Sequence, residues 1–306
     1  MKLNFTKMEG LGNDYVYVNC LKETVENPAE LSRRISDRHF GIGSDGLILI
    51  RPSDKADFTM DMYNADGSQS EMCGNGIRCV GKYVYDYGLT DKEEVSVETL
   101  AGIKYLRFKI KRENPGDRGT VESVTVNMGA PILGPKEIPV RLKDAEAYVS
   151  KDKKAHVRAC GVDADNAIVN APVTINGAPY RITCVSMGNP HCVSFVDSVD
   201  TFDLDVIGPQ FEENPMFPRR VNAEFVELVS RNYVKMRVWE RGTGETLACG
   251  TGACASVVAC ILNDYTDDEV TIRLLGGELS IRWDKEENTV YMTGPANVVF
   301  DGTIEV

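Results

Sequence analysis

The chain repeats itself, and that repeat constrains its fold more than any single residue does. Gly12–Asn13–Asp14–Tyr15 returns as Gly188–Asn189–Pro190–His191, and Cys73–Gly74–Asn75–Gly76 returns as Cys249–Gly250–Thr251–Gly252. One offset of 176 relates both pairs (188 − 12 = 176 and 249 − 73 = 176). It also places Tyr63 on Trp239, Asn64 on Glu240 and Gly46 on Asn222. One residue of slip later, Val95–Glu98 falls on Val270–Arg273 and Gly102 on Gly277, and Val126–Gly129 resembles Val290–Gly294. The sequence therefore predicts two versions of one unit, residues 1–129 and 130–296. Pro131–Ile132–Leu133–Gly134–Pro135 follows the first repeat as the boundary candidate. The tail Asn297 to Val306 lies beyond the second repeat and is expected to return to the first half as a strand.

Alternating runs at Val16 to Val18, Phe58 to Met62, Val95 to Val97, Phe108 to Ile110 and Val124 to Met128 read as half-buried strands, and so do their counterparts in the second half. A helix should start just after each Cys-Gly-x-Gly. In the first, Ile77, Val80, Val84 and Tyr87 recur at helical steps. In the second, Gly252 to Leu262 is apolar nearly all round and must be enclosed by the strands of its own half. A further helix per half is expected at Pro28 to Arg38 and at Val199 to Glu212. The fold class is α/β in the α+β sense, with two pseudo-symmetric halves.

Composition narrows the function classes. With 306 residues, 42% hydrophobic and 26% charged, the chain reads as a folded soluble protein, not a disordered one. A net charge of −12 would repel a phosphate backbone, so nucleic acid is not an expected partner. No run approaches the ~18 apolar residues of a membrane helix, and Met1 to Phe5 alternates like a strand instead of forming a targeting segment. Nine cysteines without paired CxxC spacing make a poor disulfide framework, and three histidines away from any cysteine pair make a poor zinc site. The reading is a cytoplasmic protein in a reducing compartment, with no metal and mostly inert thiols. A small molecule is the expected partner, and a homodimer is compatible with the sequence.

A cysteine ahead of Gly-x-Gly at a helix start has a chemical logic. First-turn N–H groups have no intrahelical partners and the helix dipole favours negative charge there. Such a place lowers a thiol pKa and binds a carboxylate. One copy could be no more than a buried cysteine beside a tight turn. Two copies at equivalent places are a stronger signal. If the halves face one another about a pseudo-twofold axis, Cys73 and Cys249 meet across a cleft on either side of one α-carbon. One thiolate could then remove the α-proton and the opposite thiol return one, giving the other stereoisomer. A structural disulfide between the two is the plainer alternative, disfavoured in a reducing compartment.

Several segments together resemble the diaminopimelate epimerases. They are Gly10–Leu11–Gly12–Asn13–Asp14–Tyr15, Asn64–Ala65–Asp66–Gly67–Ser68, Met72–Cys73–Gly74–Asn75–Gly76–Ile77–Arg78–Cys79, Ser186–Met187–Gly188–Asn189–Pro190–His191–Cys192, Arg220–Val221–Asn222–Ala223 and the run from Glu240 to Ala253. The resemblance runs from about residue 5 to the C-terminus. It implies interconversion of LL- and meso-diaminopimelate with no cofactor, in the route to lysine and peptidoglycan. It also implies halves that each wrap a curved, mostly antiparallel sheet around a central helix, with the site in the cleft between them. By the same resemblance Cys73 and Cys249 are the acid/base pair, and N–H groups at Gly74, Asn75, Gly250 and Thr251 hold the reacting carboxylate. Asn13, Asn64, Asn189, Asn222 and Arg241 bind substrate, with Arg241 gripping the distal carboxylate. Glu240 and His191 lie beside the reacting centre, where they accept the substrate ammonium and tune the thiols. Gly46 departs from the pattern, since some members carry a substrate-touching Gln there. Asn222 or water is expected to fill that role.

Plainer readings exist for single residues. Asn13 and Asn189, each after Gly, would by default be turn residues in left-handed geometry. His191 alone reads as a structural histidine, and Glu240–Arg241 as a solvated ion pair. Cys79, Cys254 and Cys260 should point into the core. Competing functions are a proline or hydroxyproline racemase, an isomerase of the phenazine-biosynthesis type, and a non-catalytic amino-acid-binding protein. The second of these lacks paired cysteines, and a binding protein has no need of the sulfurs.

Overall fold

The computed structural model describes residues 2–305; Met1 and Val306, the outer ends of the two expected terminal strands, lie outside the described residues. By its contacts the chain divides into two compact units, Met1–Asn127 with Thr293–Val306, and Met128–Met292. The first unit runs β1 (Lys2–Gly10), β2 (Asn13–Asn19), α1 (Pro28–Ser36), β3 (Gly46–Arg51), β4 (Phe58–Asn64), β5 (Gln69–Ser70), α2 (Gly74–Asp86), β6 (Glu94–Thr99), β7 (Gly102–Lys111) and β8 (Thr120–Gly129). A short β9 (Tyr148–Val149), α3 (Lys154–Ala159) and β10 (Ile168–Val169) precede the second repeat. That repeat runs β11 (Ala171–Ile175), β12 (Ala178–Ser186), β13 (Pro190–Phe195), α4 (Leu204–Glu212), β14 (Asn222–Ser230), β15 (Tyr233–Glu240), β16 (Gly244–Glu245), α5 (Gly250–Leu262), β17 (Glu269–Leu274), β18 (Gly277–Asp284) and β19 (Thr289–Gly294). The last strand, β20 (Asn297–Glu305), pairs antiparallel with β1.

Outside the short parallel pair β9–β10, strand pairing in both units is mostly antiparallel and breaks that rule at the same two places. β2 pairs parallel with β3 and β4 with β6. In the second unit β13 pairs parallel with β14 and β15 with β17. Parallel neighbours need a long crossover, usually a helix. Here α1 and α4 serve the first such pair of each unit, and α2 and α5 the second.

The two crossover helices of a unit cover opposite faces of the strand between them, so that strand is buried on both sides. On β3, Leu47 and Leu49 join Leu31 and Ile35 of α1 in one apolar cluster. The intervening Ile48 faces α2: its Cδ1 lies 2.7 Å from where a Cβ on Gly76 would be. β14 repeats the arrangement, with Ala223 and Phe225 packed on Leu204 and Phe211 of α4. Glu224 faces α5, its Oε1 2.7 Å from a Cβ built on Gly252. α5 touches β12, β13, β14, β15, β17 and β18, and every residue of it but Thr251 is buried, as a helix apolar all round requires. Each fully buried aliphatic side chain there contributes about 1.5–3 kcal/mol.

The expected strands all lie inside β2, β4, β6, β7 and β8, whereas the helix ends differ in places. α1 stops at Ser36 instead of Arg38, because the Asp37 carboxylate accepts from the N–H groups of His39 and Phe40 at 2.7 and 2.8 Å. α4 starts at Leu204, with Asp203 at its N-cap, instead of at Val199. Tyr87 caps the C-terminus of α2 and stacks on Tyr83, outside the buried stripe. Among the described residues no helix is long and apolar enough to cross a membrane.

Candidate active site

In the first unit Cys73 is the N-cap of α2, in extended conformation at φ −128° and ψ 121°. Its Sγ accepts from the N–H of Gly76 at 3.3 Å, the place a serine or aspartate oxygen takes in an ordinary cap. The thiol in turn donates to Oδ1 of Asn13 at 3.1 Å. Asn13 is delivered by the β1–β2 hairpin, whose two-residue loop is Leu11–Gly12. Both loop residues have positive φ, 57° and 83°, as this tight hairpin demands. The left-handed geometry thus falls on Leu11 and Gly12, not on Asn13.

Behind Asn13 stands a charged group of residues. Its Nδ2 donates to Oδ2 of Asp45 at 2.8 Å. Burial raises the Asp45 carboxyl above its ordinary value, and the neighbouring Asp14 adds to this. Asp14 is also raised by burial, but its bonds to Arg38 and Lys7 outweigh that and hold it below the usual range. Those ion pairs measure 2.9 Å to Arg38 and 2.6 Å to Lys7. Arg78, buried on α2, donates to the carbonyl of Gly74 at 3.2 Å, to Oδ1 of Asn75 at 3.0 Å and to the carbonyl of Pro295 at 3.1 Å. It clamps the turn that Gly74 and Asn75 open. Asn64, at the end of β4, donates to the Ser68 hydroxyl at 3.0 Å. Its register partner is Gly46, where a Cβ would lie 2.1 Å from the Tyr63 carbonyl oxygen. This backbone admits no side chain at position 46, which is the physical content of that departure.

In the second unit Cys249 caps α5 in the same way, at φ −114° and ψ 106°, its Sγ accepting from the N–H of Gly252 at 3.4 Å. The Thr251 hydroxyl lies 3.6 Å from the sulfur. Burial pushes the Cys249 thiol well above its ordinary value. The carboxylates of Glu240 and Glu224 push the same way, while Thr251 and the Gly252 N–H oppose them. Glu240 is half-buried and accepts from the Thr246 hydroxyl. His191 is wholly buried: Nδ1 lies 2.6 Å from Oε1 of Glu224 and Nε2 3.0 Å from Oδ1 of Asn189. Asn189 donates through Nδ2 to the Thr251 hydroxyl at 3.3 Å. Asn222 accepts from the backbone N–H of Arg241 at 2.9 Å and donates to the Pro190 carbonyl at 2.9 Å. The exposed Arg241 guanidinium donates to the Arg219 carbonyl at 3.0 Å.

Each unit therefore gathers its own share of the expected residues around one capped thiol: Asn13 and Asn75 near Cys73; Thr251, Glu240, Asn189 and His191 near Cys249. Sequence reasoning passed over Asp45, Arg78 and Glu224. Asp45 sits in a loop with no motif. Arg78 lies inside the Met72–Cys79 segment, where its side chain has no sequence-level signal of a role. Glu224 was hidden in a buried strand, although the repeat sets it on Ile48 (224 − 48 = 176). All nine cysteines are free thiols; of those outside the two caps, Cys79 is pushed up to about 12 by burial. Among the described residues no group of three or more His, Cys, Asp or Glu side chains could hold a metal ion. A cavity of about 1410 Å³ in the second unit, between Tyr148, Tyr180, Phe195 and Tyr265, includes none of the thiol's neighbours in its lining.

The family model for diaminopimelate epimerase matches residues 5–133 and 183–299. The chain belongs to the diaminopimelate epimerase family. It is thereby an isomerase. The diaminopimelate epimerase of Acetivibrio thermocellus is 54% identical over 304 residues, covering 99% of each chain. That of Methanococcus maripaludis is 51% identical, covering 99% of this chain and 100% of its own. Among solved structures, a phenazine biosynthesis protein of the PhzF family from Bacillus anthracis superposes with a TM-score of 0.66 at 16% identity, over 100% of both chains. A hydroxyproline epimerase from Agrobacterium vitis gives 0.66 at 13% identity, over 99% of this chain and 92% of its own. These two share the fold. Residues 134–182, between the two family matches, hold β9, α3, β10, β11 and the first half of β12.

Proposed function

We propose that the chain interconverts LL- and meso-diaminopimelate without a cofactor, using Cys73 and Cys249 as a two-base pair. The observation that carries the reading is the twin cap: each sulfur accepts the third N–H of its helix, at 3.3 and 3.4 Å. A thiolate there faces the positive end of a helix dipole, so the negative form is stabilised on demand. A thiol there keeps the proton that it returns to carbon, and the burial of Cys249 favours that form.

In this mechanism residues 1–129 supply one thiol and residues 130–296 the other, to opposite faces of one α-carbon. The first sulfur, as thiolate, takes the α-proton; the C–H bond breaks, an S–H bond forms, and the electron pair moves into the α-carboxylate. N–H groups at Gly74, Asn75, Gly250 and Thr251 stabilise that charge. The second sulfur, as thiol, returns a proton to the opposite face and is left as thiolate. Glu240 takes the substrate ammonium, and Arg241, with its backbone fixed by Asn222, takes the distal carboxylate. Asn13 and Asn64 line the substrate on the first side, and His191 with Asn189 supports the second. In this reading the reaction runs in the cytoplasm and serves lysine and peptidoglycan synthesis.

The test is single substitution at each sulfur. Cys73→Ala and Cys249→Ala should each abolish turnover while substrate binding remains detectable by calorimetry. Near-normal epimerisation by both variants would end the two-thiol reading.

A further inference from the structure

The repeat makes one asymmetry conspicuous. Glu224 stands where the first half has Ile48, and His191 where it has Tyr15 (191 − 15 = 176). Ile48 packs its methyl against Gly76, an apolar contact under the helix start. Glu224 instead pushes a carboxylate against Gly252, in a place with no exposure at all. Burying a carboxyl group costs free energy unless it is bonded. Oε1 has His191 at 2.6 Å, while Oε2 has no hydrogen-bond partner among the described residues. An ionisable group kept under such conditions calls for a role.

The contacts lead from it to the sulfur. Oε1 of Glu224 meets Nδ1 of His191, and Nε2 of His191 meets Oδ1 of Asn189. Nδ2 of Asn189 donates to Oγ1 of Thr251, which lies 3.6 Å from Sγ of Cys249. The imidazole is held between two oxygens, so each contact must contain a proton, and Glu224 with His191 carries no net charge whichever of them holds the shared one. With Nε2 donating, the Asn189 amide is fixed with its NH2 toward Thr251. The Thr251 hydroxyl then accepts from Asn189, and its own hydrogen is left for the sulfur. In the first half the sulfur is reached differently: Asn13 touches Cys73 directly at 3.1 Å and is backed by Asp45 at 2.8 Å, with no histidine or hydroxyl between.

We propose that Glu224 is a positioning residue: by anchoring the His191 ring it holds Asn189 and Thr251 in the one polarity that directs a hydroxyl donor at Cys249. This rests on the two-thiol reading only for its effect on turnover, because the chain itself ends at a sulfur that can be followed directly. The groups facing Cys249 are Glu240 from β15, Glu224 from β14 and His191, behind Asn189, from β13. The Glu224 carboxyl also lies near enough to Cys192 on β13 to push that thiol up, behind burial and Cys184.

The experiment compares Glu224→Leu with Glu224→Gln, alone and combined with Thr251→Val. Both substitutions remove the carboxyl group, but only Gln can give Nδ1 of His191 a hydrogen bond, so their difference isolates the anchor. Alkylation of Cys249 by iodoacetamide, followed peptide by peptide by mass spectrometry across pH, is read beside epimerisation of diaminopimelate, with thermal melting to confirm folding. The Leu variant should alkylate at Cys249 roughly tenfold more slowly than the Gln variant at a given pH, the value of one hydrogen bond to a charged group. Its kcat should fall by a similar factor, with KM little changed and most turnover regained with Gln. In the Thr251→Val background the difference between Leu and Gln should vanish. Equal alkylation in the Leu and Gln variants, or a difference that persists without the Thr251 hydroxyl, overturns the proposal. Should the Leu variant not fold, Asn189→Ala, which cuts the same chain at a half-buried bend, must slow Cys249 alkylation relative to wild type, and unchanged alkylation overturns it equally. A wild-type protein inert toward diaminopimelate would defeat the functional reading and leave the alkylation comparison standing.

Discussion

The second glycine of each Cys-Gly-x-Gly offers a controlled perturbation, because the same methyl group added to both halves meets different surroundings. A Cβ on Gly76 would meet Cδ1 of Ile48 at 2.7 Å and Cε of Met60 at 3.3 Å, both free ends of side chains that can turn aside. A Cβ on Gly252 would meet Oε1 of Glu224 at 2.7 Å and Sγ of Cys249 at 3.2 Å. Neither can withdraw easily: the carboxylate is held by His191 at 2.6 Å and the sulfur by the Gly252 N–H at 3.4 Å. Replacing Gly by Ala within a helix gains roughly 0.5–1 kcal/mol, and overpacking a filled site costs about 1–3 kcal/mol. For Gly76→Ala the two nearly cancel, and stability should stay within about 1 kcal/mol of wild type. Gly252→Ala should lose about 1–2 kcal/mol. It should also lose on the order of 100-fold in turnover, since displacing a reacting group by about 1 Å costs that much. Urea denaturation gives the first quantity and a coupled epimerisation assay the second. A Gly252→Ala protein as stable and as active as Gly76→Ala would show that the contact between α5 and Glu224 is not as tight as described.

Other outcomes follow from the same geometry. Because burial and two carboxylates raise the Cys249 thiol well above its ordinary value of 9.0, the protonated form persists through neutral pH. Its alkylation should therefore climb only in the alkaline range, and a midpoint below 9.0 contradicts the assignment. Since one sulfur must be thiolate and the other thiol at the start of a turnover, kcat/KM should be bell-shaped in pH, and a monotonic rise into alkali counts against the pair. Arg78→Met removes the donor from three acceptors around the α2 start and should cost about 3 kcal/mol or more in denaturant melts, at about 1 kcal/mol or more per orphaned acceptor. If two thiols serve one carbon, a mild oxidant should join Cys73 to Cys249 and stop turnover until a reductant is added; peptide mapping that finds no such link in an inactivated sample refutes the shared site.

The offset of 176 was the most legible feature of this chain, and the physical reason is that two copies of one unit must solve the same packing problem. α2 and α5 start and stop at equivalent residues, and so do α1 and α4, although nothing in the local sequence of Val199 to Asp203 excludes a longer helix. The cysteine caps were legible too, because glycine spacing and helix starts are local. What was not legible depends on neighbours distant in sequence. The hairpin before Asn13 places its left-handed backbone on Leu11, a residue no turn rule selects, because strand register and not side-chain preference fixes that loop. Gly46 reads as an ordinary strand residue until Tyr63 is found against it. Glu224 is the clearest case: inside Asn222–Ala223–Glu224–Phe225–Val226 it looks like a polar residue on an open strand face, yet α5 covers that face. Only its equivalence to the buried Ile48 carried the warning.

The central claim is that two thiols exchange an α-proton with no cofactor, and deuterium reports it most directly. The reduced protein, given LL-diaminopimelate in D2O with nothing added, should form the meso isomer with deuterium at the inverted α-carbon. Meso product without deuterium there, or no exchange from a fully reduced sample, would contradict the account.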